Sequence, residues 1–513
     1  MSASPQTRSA SAIWAFRLGG LALAALVYAL LGSAEMSGDA RFVAAIASLM
    51  AVWWMTEAVP LAATSLLPII LVPALTDRGV GETTASYASP IVFLFLGGFL
   101  IAIAMEKWGL HRRIALLTLR RVGISPRRIV LGMMLATGFL SMWVSNTATT
   151  LMMLPIGFSV LALVSGRGMS GSDARTDAAS VADQNTDTEV DSFGVCLVLA
   201  IAWSASMGGL GTLLGSPPNA IIAGYASDEL GVDIGFVDWM IVGVPLAITF
   251  IAIGWVLMTR VFYPFDLDEI PGGEKLIGDE IDKLGSMSQG ERMVAFVFGG
   301  AAFLWIVPGL LSELPSIAAA APWLGGLNDA VIAIAAGLAL FMLPGRGSSE
   351  MVLDWKDAES GLPWGVLLLF GGGLSLAGAV AGTGLDDWFG QQVSGLSALP
   401  IVLLIASVVT IVLFLTEVTS NTATAATFIP VLGGVALGVG VDPMVLLVPA
   451  ALAATCAFML PVGTPPNAIA FSTGAVTIRQ MARGGFVLNL IGIALVTGFV
   501  YWLGGAALGL NFG

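Results

Sequence analysis

This chain has little charge. Only 11% of its 513 residues are Asp, Glu, Lys or Arg, against 57% hydrophobic. A soluble globular domain carries roughly a quarter charged residues. Histidine occurs once, as His111, and cysteine twice, as Cys196 and Cys456. An intramembrane enzyme needs a convergent acid, base or metal set, and no His/Cys/Asp cluster is there to supply one. The two cysteines fall in expected spans at non-equivalent positions, so they read as small core residues rather than a disulfide. What the chain has instead is long uncharged runs, such as 129–164. Runs of about 20 apolar residues span a bilayer, and this length leaves room for about ten to twelve spans. The two-residue alternation of an outer-membrane barrel is missing, so the spans are helical.

The net charge is −13, but where the charges lie says more than their sum. Apolar segments place spans at 13–33, 41–58, 60–76, 89–106, 194–224, 236–259, 292–312, 326–344, 363–384, 443–474 and 485–507. Two further apolar stretches, 127–166 and 399–438, read as hairpins that each return to their own side. With the N-terminus inside, only Arg41 and Arg78 of the 21 lysines and arginines then fall outside. This is the asymmetry of the positive-inside rule. A hairpin that crossed fully would invert everything after it and destroy the agreement. Gly32-Ser33-Ala34 resembles a signal cleavage site. The polar-to-mixed lead before it and the continuing topology favour a retained first helix.

The pentapeptide Ser-Asn-Thr-Ala-Thr appears twice, at Ser145-Asn146-Thr147-Ala148-Thr149 and at Ser420-Asn421-Thr422-Ala423-Thr424, an offset of 275 residues. A second pair follows in the same order, Gly215-Ser216-Pro217-Pro218-Asn219 and Gly463-Thr464-Pro465-Pro466-Asn467, offset by 248. Phe95-Leu96-Gly97-Gly98 and Phe370-Gly371-Gly372-Gly373 repeat at 275. The first half thus holds 27 extra residues, which the polar stretch 166–192 accounts for. That stretch lacks apolar periodicity and reads as a cytoplasmic loop. The first unit starts outside and the second inside, so the halves are inverted, as in many secondary transporters.

A hairpin turning at membrane depth leaves backbone groups without helical partners. Ser, Asn and Thr side chains cap such ends and offer oxygens and N–H donors. Each Pro-Pro pair lacks helix donors and should split its span into two half-helices. Unwound carbonyls with hydroxyl and amide oxygens suit hard cations, and half-helix N-termini attract anions. One Ser-Asn-Thr in a membrane helix is ordinarily packing glue. Two inverted copies, each followed by a Pro-Pro-Asn break, point to a binding site and a carrier. No Lys, Arg or His is placed near either motif, so a bound dianion would need counter-charge from co-bound cations. Glu57 and Glu417 are the intramembrane carboxylates that stand out; Glu417 reads as an orienting group. His111 reads as a solvated loop residue beside an Arg-rich turn.

At these residues the chain resembles the divalent anion/sodium symporter family, over about residues 40–510. The resemblance rests on Trp54-Met55-Thr56-Glu57-Ala58-Val59-Pro60, Ser141-Met142-Trp143-Val144-Ser145-Asn146-Thr147-Ala148-Thr149-Thr150, Thr416-Glu417-Val418-Thr419-Ser420-Asn421-Thr422 and both Pro-Pro-Asn motifs. It implies an all-α integral membrane protein of inverted-repeat elevator type, with about 11 transmembrane helices and two re-entrant hairpins. It implies scaffold helices at 1–126 and 263–395 and a transport domain at 127–262 and 396–513. One sodium would lie among Ser141, Ser145, Asn146 and backbone at Gly215; the other among Thr416, Asn421 and backbone at Thr419 and Gly463. The dicarboxylate would lie between Asn146-Thr147 and Asn421-Thr422, with Thr464 and Pro465 close by. Gly463 departs from the family pattern, where a small alanine is expected. The resemblance further implies a homodimer in a bacterial inner membrane, taking up C4-dicarboxylates with co-transported sodium. A sodium-independent exchanger and a sodium-coupled citrate or sulfate carrier remain alternatives.

Overall fold

A computed structural model describes residues 9–123, 125–164, 188–267, 273–312, 327–347, 350–393 and 399–512, together with 316, 320 and 395. The described chain is mostly helical. The expected loop at 166–192 falls mainly on 165–187, outside the described residues; a helix is already under way at Thr188–Gly209.

Both hairpins form. The first runs out along Pro126–Ser141 and back along Asn146–Val164, turning at 142–145. The second uses Ile401–Thr416 and Asn421–Val439, turning at 417–420. Both broken spans form as well. Thr188–Gly209 stops seven residues before Pro217–Leu230 resumes, with a short 3-10 turn at Leu213–Gly215 between them. Met444–Thr455 gives way to an unwound stretch before Pro465–Ser472. In each case a proline opens the second half-helix, where its missing N–H costs nothing.

The repeat reaches further than the motifs. Each repeat opens with an apolar helix, Pro90–Lys107 or Trp364–Thr383, and continues into a connecting helix, Leu110–Val122 or Leu385–Val393. Between them stand Gly109 and Gly384, 275 residues apart, both left-handed at φ 73°. Only glycine takes that conformation without steric cost.

Nine helices among the described residues are long and apolar enough to cross a membrane, including the returning arm of each hairpin. The shorter apolar helices Leu61–Leu75, Asp329–Met342, Ile401–Thr416 and Met444–Thr455 fall below that length. The expected span at 60–76 is itself interrupted, as Leu61–Thr64 and Leu67–Leu75. The core is built on Trp54, Trp203, Trp239, Phe95, Phe370 and Phe458. Exposed apolar side chains such as Trp14, Leu30, Phe296, Val331 and Trp502 cover the outside, as a lipid-facing surface requires.

Polar contacts gather at the ends of the helices. Arg112 pairs with Glu280 at 2.6 Å, and Arg113 bonds Glu291 with both side chains nearly buried. These tie the first connecting helix to Gly273–Leu284 and Gln289–Ser312. His111 is not a solvated loop residue. It lies on Leu110–Val122, half-buried, with a ring nitrogen 2.7 Å from the Met105 carbonyl. Burial lowers its pKa below the ordinary value. The Arg-rich composition of the segment marks a helix with one solvated face, and His111 sits on the other.

Candidate functional site

The hairpin tips and the helix breaks meet around one cavity of about 990 Å3. Of the residues expected at the site, Ser145, Asn146, Thr147, Gly215, Thr419, Asn421, Thr422, Gly463, Thr464 and Pro465 all line it. Ser141 and Thr416 lie just behind, each fully buried on the outgoing arm of its hairpin.

The first centre is built from oxygens. Asn146 Oδ1 accepts from Ser141 Oγ at 2.6 Å. On the same side stand the Ala205 carbonyl at 3.1 Å and the Gly215 carbonyl at 3.3 Å. Turned over, the carboxamide nitrogen would donate to all three. In either orientation the carboxamide faces the Ser141 hydroxyl and the carbonyls of Ala205 and Gly215, oxygens of the kind that suit a hard monovalent cation. The second centre repeats the plan. Thr416 Oγ1 is 2.7 Å from Asn421 Oδ1 and 3.0 Å from the Ala454 carbonyl. A hydroxyl carries one proton and can donate to only one of them at a time. The Thr419 hydroxyl is engaged elsewhere, donating to the Leu415 carbonyl at 2.9 Å and lying 2.6 Å from Thr424 Oγ1.

The carbonyls of Ala205 and Ala454 are not among the ligands expected from the sequence. Any residue type carries a carbonyl, so side-chain identity gives no signal for one. The unwound stretches that hold the site are themselves held by Asn219 and Asn467. Asn219 Nδ2 donates to the carbonyls of Gly209 at 2.9 Å and Thr212 at 2.8 Å. Asn467 Nδ2 donates to those of Ala457 and Leu460, both at 3.1 Å, which are the repeat equivalents 248 residues on. At the breaks the halves are bridged by Ser216 Oγ and Thr455 Oγ1, 2.9 Å apart.

Four helices begin at the cavity wall, at Asn146, Pro217, Asn421 and Pro465. Each N-terminus presents unpaired N–H groups and the positive end of its dipole. Among the described residues the only charged side chains lining the cavity are Glu57 and Glu106. Thr147 and Thr422 line it from opposite tips. Phe95, Phe99, Val462 and Phe471, which carry no polar signal, supply apolar wall. Glu417 does not line the cavity; it is buried behind the second tip.

Comparison with known proteins supplies the family. The transmembrane region of the sodium:sulfate symporter family matches residues 11–507. The sodium-dependent dicarboxylate transporter SdcS of Staphylococcus saprophyticus is 43% identical over 483 residues, covering 93% of this chain and 88% of the relative. SdcS of Staphylococcus aureus strain USA300 is 41% identical over 473 residues, covering 92% and 87%. Two solved structures share the fold at low identity. The YdaH transporter of Alcanivorax borkumensis gives a TM-score of 0.53 at 13% identity over 98% of both chains. MtrF of Neisseria gonorrhoeae gives 0.54 at 11%, covering 94% of this chain and 98% of its own. A match over nearly the whole chain, joined to paired hairpins and breaks around one cavity, places this protein in the sodium:sulfate symporter family, the divalent anion/sodium symporters whose motifs it carries.

Proposed function

We propose that this chain takes up C4-dicarboxylates such as succinate, malate and fumarate with co-transported sodium. The observation that carries the reading is the convergence of four helix N-termini on a cavity with no basic side chain among its lining residues. Dipole ends and amide donors attract an anion, but they belong to neutral groups and leave the net charge of a bound dianion unbalanced. The two oxygen-rich centres beside the cavity supply the remainder when sodium fills them. Sodium at Ser141, Ser145, Asn146 and Gly215, and at Thr416, Thr419, Asn421 and Gly463, organises the tips. The dianion then bridges Asn146-Thr147 and Asn421-Thr422, near Thr464 and Pro465. The dicarboxylate named for the SdcS relatives supports this choice over sulfate.

Transport follows an elevator path. The transport domain, 127–262 with 396–513, moves against a scaffold of 1–126 and 263–395 that holds a homodimer in the inner membrane. With the N-terminus cytoplasmic, Met55, Glu57, Glu106, Gly361 and Pro363 sit at inner ends of their helices, and all line the cavity. The conformation described is then the inward-open one.

The test is radiolabelled succinate uptake into proteoliposomes under an inward sodium gradient or an equal potassium gradient. Uptake that requires sodium is the expected result. Uptake that ignores sodium and appears only after preloading with dicarboxylate would make the protein an exchanger.

A further inference from the structure

The two halves differ behind their hairpin tips. Glu417 follows Thr416 in the second tip, and its side chain is almost entirely buried. The carboxylate accepts four donors. Phe458 N–H lies at 2.7 Å, Met459 N–H at 3.0 Å, Leu460 N–H at 3.1 Å and Asn489 Nδ2 at 2.7 Å. The first three belong to the unwound stretch of the second broken span. Asn489 belongs to the last helix, Ile478–Leu508, outside every repeated motif. That helix presses on the same stretch one turn earlier, where a Cβ on Gly485 would stand 2.3 Å from the Phe458 carbonyl. Positions 485 and 489 share a helix face, so the close approach at one delivers the amide at the other.

Among the described residues the first half has no such arrangement. The repeat equivalent of Glu417 is Met142, whose side chain packs on Gly211 and whose carbonyl accepts from Thr212 Oγ1. The last helix of each repeat opens with the same backward cap, Asp238 accepting from the Gly235 N–H and Gln480 from the Thr477 N–H. Counted from those caps, the counterpart of Asn489 is Ala247, which has no donor to offer.

We infer that Asn489 is a positioning residue for the second cation centre, acting through Glu417. This rests on the sodium-symport reading above. Four neutral donors are placed to hold a carboxylate beside Thr416, and among the described residues no Lys, Arg or His bonds it. The second centre is therefore braced from behind by protein donors that have no counterpart at Met142 in the first. Charge-assisted hydrogen bonds are about twice as strong as neutral ones, so losing the Asn489 donor should free the carboxylate to shift.

The experiment compares wild type, Asn489→Leu, Asn489→Ala and Asn489→Gln by two readouts. One is the sodium concentration for half-maximal succinate uptake in proteoliposomes; the other is the sodium-induced rise in melting temperature without substrate. Leu and Ala should each raise the half-saturating sodium about tenfold and displace the melting response to match, an effect of the size expected for a lost bond to a charged group. The succinate KM at saturating sodium should stay within about twofold. Gln, which keeps the donor, should recover most of the sodium affinity. The Ala variant reads the same bond if the larger Leu does not assemble. Variants that lose yield or maximal rate but keep the wild-type sodium response overturn the assignment of Asn489 alone. A wild type whose uptake and melting both ignore sodium overturns the symport reading and this inference together.

Discussion

Phe95 and Phe370, equivalent residues of the two repeats, pack edge to face with ring centroids 5.0 Å apart at 77°. Two residues related by a rotation can touch each other only near its axis. The pseudo-two-fold axis of this protein therefore passes between these rings, inside the core. Phe95 also lines the cavity and Phe370 does not, so the axis runs along the cavity wall. Phe370→Ala should lower the melting temperature, at about 3–5 kcal/mol for a buried ring, and leave the substrate KM alone. Phe95→Leu should raise the KM. Uptake kinetics beside thermal melts separate the two effects.

Asn146→Ala and Asn421→Ala should each abolish uptake while the protein still purifies as an assembled species. Each removes an amide oxygen from one centre, and Asn146 and Asn421 also line the cavity. Normal uptake by either variant, measured at saturating sodium, would sink the site assignment.

The two glycines that precede the Ser/Thr-Pro-Pro breaks should differ in tolerance. A Cβ on Gly215 would lie 2.6 Å from the Gly209 carbonyl, which cannot yield without disturbing the bond from Asn219. On Gly463 it would meet Ala457 and Glu417 atoms at 3.1–3.3 Å, close but adjustable. Gly215→Ala should raise the half-saturating sodium at least tenfold; Gly463→Ala should change it by less than about threefold. The mildness at 463 fits the alanine expected there from the family pattern.

Asn219→Ala and Asn467→Ala should be equally harmful, because each amide holds the same two carbonyls of its own break. Each variant leaves one buried carbonyl, Gly209 or Ala457, without its donor at a cost of about 1–3 kcal/mol. Those of Thr212 and Leu460 keep a bond from the N–H of Gly215 or Gly463. Thermal melts of the purified variants give the comparison, and a large difference between them would break the equivalence of the two breaks.

Arg113 and Glu291 form a nearly buried pair between the first connecting helix and Gln289–Ser312. Glu291 holds Arg113 further toward its charged form, chiefly through their hydrogen bond. Arg113→Met alone should destabilise by about 3–5 kcal/mol, since it strands a buried carboxylate. The double variant Arg113→Met, Glu291→Leu should recover much of that loss. A double-mutant cycle on melting temperature measures the coupling.

Much of the site was legible in the sequence, because polar residues and proline pairs in apolar spans have few other uses. Ser141 with Asn146 and Thr416 with Asn421 stand at the expected spacing and make the same hydrogen bond in both halves. The breaks at Pro217 and Pro465 fall where the prolines put them. What escaped was carried by backbone or by distance. The carbonyls of Ala205 and Ala454 have no side-chain signature, and Asn489 is one polar residue in a long apolar helix. His111 was misread because a charged segment can still bury one face of a helix. The connecting helices escaped because Gly109 and Gly384 share only a backbone conformation, with dissimilar residues after them.

The Ser216–Thr455 bond carries a consequence for how the ions bind. Ser216 directly follows Gly215, whose carbonyl faces the first centre, and Thr455 directly follows Ala454, whose carbonyl faces the second. One hydroxyl pair and two peptide units thus span the gap between the centres. An ion that draws one carbonyl inward pulls on a linkage whose other end is the partner carbonyl. Under the symport reading, the first sodium prepays part of the ordering needed by the second, and the dose–response curve for sodium becomes sigmoidal rather than hyperbolic.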